Sequence, residues 1–230
     1  MRCAVLGLTG ATGDLPGRLR APRRAAGGAT PAVPPDSRLA REAAERAADE
    51  LSPEVLAHAY RCWQWSVAFA DVDRLAPDRE LTFVAAVLHD LELGAPDHPD
   101  HGCFASLSGA RAGGLVAAHR GAEDAETVRR AIAGHFAPWT PEDPVARVLH
   151  SAVNLDVVGR RLHDLDPGLV DVVEDRHPRT GFVPVFTAAL RVEAERRPRS
   201  AAAVLWRTGA VLPIRANPLE RRSRGRAAPG

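Results

Sequence analysis

Lysine is missing from this chain altogether. All 30 of its fixed basic groups are arginine, set against 29 acidic residues for a formal net charge of +1. A balance so close to zero creates no global field, so nucleic acid is not an expected partner. The arginine and alanine excess reads as the codon bias of a GC-rich genome rather than as a functional choice. Cysteine is also scarce: Cys3, Cys62 and Cys103 show no CxxC spacing and are too few for a disulfide framework, which suits a reducing cytoplasm. No apolar run reaches the roughly 18 residues that a membrane span requires. The early CAVLGL piece is too short for a signal-peptide core. Alternating strand patterns and internal repeats are lacking too. A cytoplasmic, all-α protein without a membrane partner is the resulting expectation.

What is present is helical periodicity from residue 37 onward, enough for a single domain of six or more helices over 37–215. Residues 1–36, rich in Gly, Pro, Ala and Arg, read as an irregular or disordered arm, and 216–230 as a disordered basic tail. Gly7, Gly10 and Gly13 fit the spacing of a dinucleotide-binding turn. The residues that follow cannot supply the helix and second strand of a βαβ unit, so no nucleotide cofactor is expected. Helices are predicted over 37–51, 53–71, 80–93, 106–119, 124–136, 144–162 and 183–196, with another possible over 201–212. The second is marked by Ser52-Pro53-Glu54 as N-cap, first-turn proline and first-turn acid.

The third predicted helix holds no polar side chain from Phe83 to Leu88 and then closes on His89-Asp90. A run without a polar stripe predicts a buried helix, and an imidazole and a carboxylate at its end are costly to bury without partners. Gly94 and Pro96 predict that the helix stops there, which places Asp90 in the last turn, at the negative end of the helix dipole. A bound cation resolves both conflicts. On the second helix His58 shares a face with Arg61, Cys62 and Trp65, and a lone histidine there also reads as a hydrogen-bonded core residue. Asp156 projects into the middle of the apolar face made by Val145, Val148, Leu149, Ala152 and Val153. An ion pair with its i+4 neighbour Arg160 is the alternative reading, which the central position disfavours. Gly159, one turn on, would let something approach closely. His58, His89, Asp90 and Asp156 thus offer two imidazoles and two carboxylates from three helices, a set suited to one divalent Zn, Fe or Mn.

The order H…HD…D, together with HAYR at 58–61, AAVLHDL at 85–91, GARAGG at 109–114, AIAGH at 131–135 and NLDVVG at 154–159, resembles the HD-domain superfamily of helical metal-dependent hydrolases. It most resembles the small branch related to cyanamide hydratase. The resemblance covers residues 52–162, about half the chain. It implies that His58, His89, Asp90 and Asp156 hold the metal and that a metal-bound water attacks a small substrate such as a nitrile. His135 would orient substrate or shuttle a proton, with Arg61 and Trp65 (and Phe69 behind them) lining the substrate pocket.

Two departures stand out: Glu92 where the branch often has glycine, and FASLS at 104–108 where it tends to carry an acid. Other readings stay open. A two-metal oxygenase requires His119 and His135 together at the centre, and a phosphohydrolase requires several cations around a phosphate. A degenerate HD module would serve binding or regulation. His98, His101, His150, His163 and His177 are assigned no role.

Overall fold

The computed structural model describes residues 30–95 and 102–227, and the regular structure among them is helical throughout. The glycine-rich turn at Gly7, Gly10 and Gly13, and His98 and His101, lie outside the described residues.

Each early helix starts on a side-chain cap. Ser37 accepts from the Ala40 N–H at 3.0 Å to open α1 (Arg38–Glu50). Ser52 caps α2 (Pro53–Asp73), with Pro53 in the first turn, where its missing N–H is not needed. Asp78 accepts from the Leu81 N–H at 2.9 Å to open α3 (Arg79–Leu88), which is buried from Leu81 to its end. The helix expected over 80–93 is therefore shorter. It stops at Leu88, and His89 to Gly94 continue as turns. Asp90 accordingly lies just past the C-cap residue His89 rather than in the last turn, still at the negative end of the helix dipole.

Next come α4 (Phe104–Arg120) and α5 (Ala122–Ala133), which pack so closely that a Cβ at Gly109 would stand 2.7 Å from the Arg129 carbonyl oxygen. Asp143 caps α6 (Pro144–Val158), which ends on Gly159 in the left-handed conformation. Beyond a short 3-10 turn at Leu162–Asp164 lie α7 (Pro167–Arg176), α8 (Phe182–Arg196), α9 (Ala201–Arg207), α10 (Val211–Arg215) and α11 (Pro218–Ala227). No helix among the described residues is long and apolar enough to cross a membrane.

Two apolar clusters form. The larger gathers Trp63, Trp65, Phe69, Phe83, Leu88, Ile132, Leu149 and Leu155 around α2. The smaller joins Phe104 at the start of α4 to Phe182, Phe186 and Leu190 of α8 and Ile214 of α10. The polar groups described below sit at the seam between them.

Parts of the segments expected to be an irregular arm and a disordered tail make defined contacts. Residues 30–36 have no helix, yet the Gln64 amide brackets Ala32, accepting from its N–H at 2.7 Å and donating to its carbonyl at 2.9 Å. The basic tail begins as a docked helix, with Asn217 and Leu219 fully buried. Its composition is polar, but a few inward-facing groups suffice to seat it. Gly159 is what allows the approach: at φ +77°, a Cβ there would stand 2.4 Å from Pro218 Cδ and 2.9 Å from Asn217 Oδ1. Gly159→Ala combines left-handed strain with overpacking, and we expect it to lower unfolding free energy by about 2–4 kcal/mol in a urea titration. A loss within error of zero would mean that α11 is not seated there.

Candidate metal centre

Three imidazoles converge on one carboxylate. His58 comes from α2, His89 and Asp90 from the turn after α3, and His135 from the end of α5. All four are at most 2% exposed. Each Nδ1 faces an atom that can only accept: Asp156 Oδ2 at 2.7 Å for His58, the Ala86 carbonyl at 2.8 Å for His89, and the Ile132 carbonyl at 2.7 Å for His135. Each Nδ1 therefore carries a proton, and in the neutral form of each ring the lone pair resides on Nε2.

The three Nε2 atoms all point inward. His58 Nε2 lies 3.1 Å from His89 Nε2 and 3.5 Å from Asp90 Oδ2. His89 Nε2 is 3.3 Å from Asp90 Oδ2, and His135 Nε2 is 3.8 Å from Asp90 Oδ1. Neither Asp90 oxygen accepts a hydrogen bond among the described residues. Apart from the Cys62 thiol beside the His58 ring, these lone pairs and the carboxylate face one another with no donor between them among the described residues, an arrangement that is repulsive on its own. Two ligands about 2.0–2.2 Å from one ion in tetrahedral geometry stand roughly 3.3–3.6 Å apart, so these spacings suit a single cation. The residues present fit a divalent metal.

Burial disfavours the charged form of His58 and His135. Burial lowers the pKa of His58 against the opposing pull of Asp156, and burial followed by the neighbouring His89 lowers His135 to about 3. Cys62 touches the His58 ring, its sulfur 3.7 Å from each ring nitrogen, and lies at ligand spacing from His58 and His89, while burial pushes its thiol well up.

Asp156 is placed differently from the expectation that grouped it with the ligands. It lies on the Nδ1 side of His58, opposite the nitrogen that faces His89 and Asp90. Nor does it pair with Arg160. Arg61 donates to it twice, from Nε to Oδ1 and from Nη2 to Oδ2, both at 2.9 Å, and the Trp65 indole N–H donates to Oδ1 at 2.9 Å. Arg179 Nη1 stands 3.0 Å from the same Oδ1 as an ion pair without hydrogen-bond alignment. Burial alone would raise the Asp156 carboxyl, but Arg61, Arg179 and His58 hold it well below the usual carboxylate range. Carboxylates in this position fix a ligating imidazole's tautomer and orientation.

Arg61 and Trp65 consequently do not line a pocket. Both are fully buried on Asp156, and the remaining Arg61 nitrogen donates to the His177 and Pro178 carbonyls at 3.1 and 3.0 Å. Phe69 is core, lying under the Arg161 guanidinium at 4.3 Å. The aromatic groups against the cluster come from elsewhere. Phe182 stacks on His58 at 4.8 Å, Phe186 tilts toward the same ring at 5.8 Å, and Phe104 meets His135 edge-on at 5.6 Å.

The remaining polar candidates have structural partners. Glu92, fully buried, pairs with Arg111 at 2.8 Å, and Arg111 also grips Glu50 at 2.6 and 2.7 Å. Ser108, in the stretch without an acid, lies 3.0 Å from the Glu92 backbone N–H and accepts from it. His119 sits on Glu42 at 3.0 Å, 15 residues along α4 from Phe104, or roughly 22 Å at about 1.5 Å per residue. It does not join His135. His150 meets the Ala137 carbonyl at 2.9 Å, His163 pairs with Asp164 at 3.2 Å, and His177 stacks on Tyr60 at 5.3 Å.

Sequence reading missed Arg179, Phe182, Phe186, Asn217 and Glu220. The one hint was Gly159, whose close neighbour proves to be the start of α11. No protein-family model matches the chain, and no curated protein matches it either.

Proposed function

We propose that the chain is a metal-dependent hydrolase or hydratase of a small uncharged molecule, of the HD-domain kind. One divalent Zn, Fe or Mn would be held by His58, His89, Asp90 and His135. The observation that carries this reading is the convergence of three Nε2 lone pairs on a buried carboxylate that accepts no hydrogen bond. When bound, such a cation lowers the pKa of water enough to make a nucleophile near neutral pH.

The chain's own residues do the rest. Asp156 holds the His58 proton on Nδ1 and so aims Nε2 inward, while the Ile132 carbonyl does the same for His135. His135 moves in this reading from proton carrier to metal holder. Phe104, Phe182 and Phe186 wall the seam with apolar rings and exclude water from it. Substrate charge is argued from the cations. Phosphoryl transfer needs several positive groups around the phosphate oxygens. Among the described residues, the guanidiniums at this centre, Arg61 and Arg179, are both committed to Asp156. A nitrile or amide fits that environment better than a nucleotide, and the position of His119 speaks against the two-metal oxygenase.

The test is metal analysis followed by a substrate panel. We expect about one divalent ion per chain and chelator-sensitive turnover of small nitriles or amides, with nucleoside triphosphates left intact. Efficient metal-dependent phosphate release would move the chain to phosphohydrolysis, and metal without turnover would leave the degenerate module.

A further inference from the structure

We infer that the C-terminal helix α11 is a positioning element of the metal centre, acting on His58 through Glu220, Arg179 and Asp156. The inference rests on the reading above that the cluster holds a cation. Four groups form the chain of contacts. Glu220 Oε1 accepts from Arg179 Nε at 2.8 Å and lies 2.7 Å from Nη2. Arg179 Nη1 stands 3.0 Å from Asp156 Oδ1, and Asp156 Oδ2 accepts from His58 Nδ1 at 2.7 Å. The helix is anchored beside them, since Asn217 Nδ2 donates to the Asp156 backbone carbonyl at 2.8 Å.

Charge gives this geometry its consequence. Arg61 and Arg179 bring two positive charges, both on fully buried side chains, and Asp156 and Glu220 are the carboxylates in direct contact with them, with Glu174 nearby. Neutralising Glu220 removes one of the negative charges set against Arg179, beside a site built for a dication. It also draws Asp156 toward Arg179 and away from the His58 proton. Both effects weaken cation binding. Glu174 acts on Arg179 through its charge as well, but its oxygens accept no hydrogen bond among the described residues, so it is no link in this chain. Glu220 and Arg179 touch no substrate or metal in this scheme; they are positioning residues.

The experiment is zinc titration of the full chain at neutral pH, in competition with a chromophoric chelator. Glu220→Gln should bind zinc about tenfold more weakly than wild type. Adding Arg179→Met removes the excess charge, and the double variant should return to within about threefold of wild type. A purely structural role for α11 predicts the reverse, with the double variant worse than the single. Equal zinc affinity in wild type and Glu220→Gln overturns the inference, as does a double variant no tighter than the single. Should Glu220→Gln fail to fold, the double variant decides alone: affinity near wild type supports the relay, and a tenfold loss refutes it. A wild-type chain that binds no zinc, iron or manganese would instead remove the metal reading, and this inference with it.

Discussion

Asp156→Asn is expected to cost about 3–5 kcal/mol of folding free energy, the range for breaking a buried ion pair by removing one partner. The amide would leave the Arg61 and Arg179 guanidiniums buried with their shared counter-charge gone, since Arg61 makes two hydrogen bonds to that carboxylate and Arg179 an ion pair. Domains of this kind are stable by roughly 5–15 kcal/mol, so the loss is a large fraction of the total. Urea unfolding with and without chelator separates two roles for the residue. If Asp156 acts behind His58, the loss persists in chelator, and metal affinity falls by a further ~10–100-fold. Were it a direct metal ligand and nothing more, the destabilisation would vanish once metal is removed from both proteins. A loss under about 1 kcal/mol in chelator would contradict the ion-pair network described here.

Asp90→Asn should behave in the opposite sense, and the inversion is the point of the experiment. Without metal, the wild-type carboxylate is buried with no donor on either oxygen, whereas an amide could donate to the His58 or His89 Nε2 lone pairs 3.5 and 3.3 Å away. In chelator the variant should therefore be as stable as wild type or more so, by up to ~2 kcal/mol. With metal at about a thousandfold excess over Kd, wild type should gain about 4 kcal/mol, because only the folded state offers the assembled site. The variant should gain little, and His89→Ala, which deletes an imidazole outright, should not retain metal at all. Calorimetric melting of each protein in chelator and in metal reads the crossover directly. Parallel behaviour of wild type and Asp90→Asn in the two conditions would remove Asp90 from the centre.

Much of the frame could be read from residue order. The Ser52 cap with Pro53 and the unbroken apolar run from Phe83 to Leu88 are local features, and each marked a helix where one is found, whereas the helix expected over 144–162 already ends at Val158 on Gly159. His58, His89 and Asp90 were also legible, because imidazoles and a carboxylate attached to apolar helices demand partners whatever the fold. His135 could be noticed as a helix-end histidine, but its role depends on which carbonyl holds its Nδ1.

What the sequence by itself determined is thus the all-helical frame and the presence of polar groups that could not be buried alone. Only the tertiary structure decided how they are satisfied. Arg61 and Asp156 lie 95 positions apart, and Arg179 and Glu220 lie 41 apart. Nothing local pairs them, and an arginine on a helix face reads the same whether it faces solvent or a buried carboxylate. Asp156 consequently looked like a ligand, since its own helix shows only that it points inward. Its partners arrive from α2, from the turn before α8 and, through Glu220, from a tail whose composition is that of a solvated end. Burial is a property of a helix face and can be read from one segment, whereas charge compensation belongs to the contact between segments that the folded chain alone brings together.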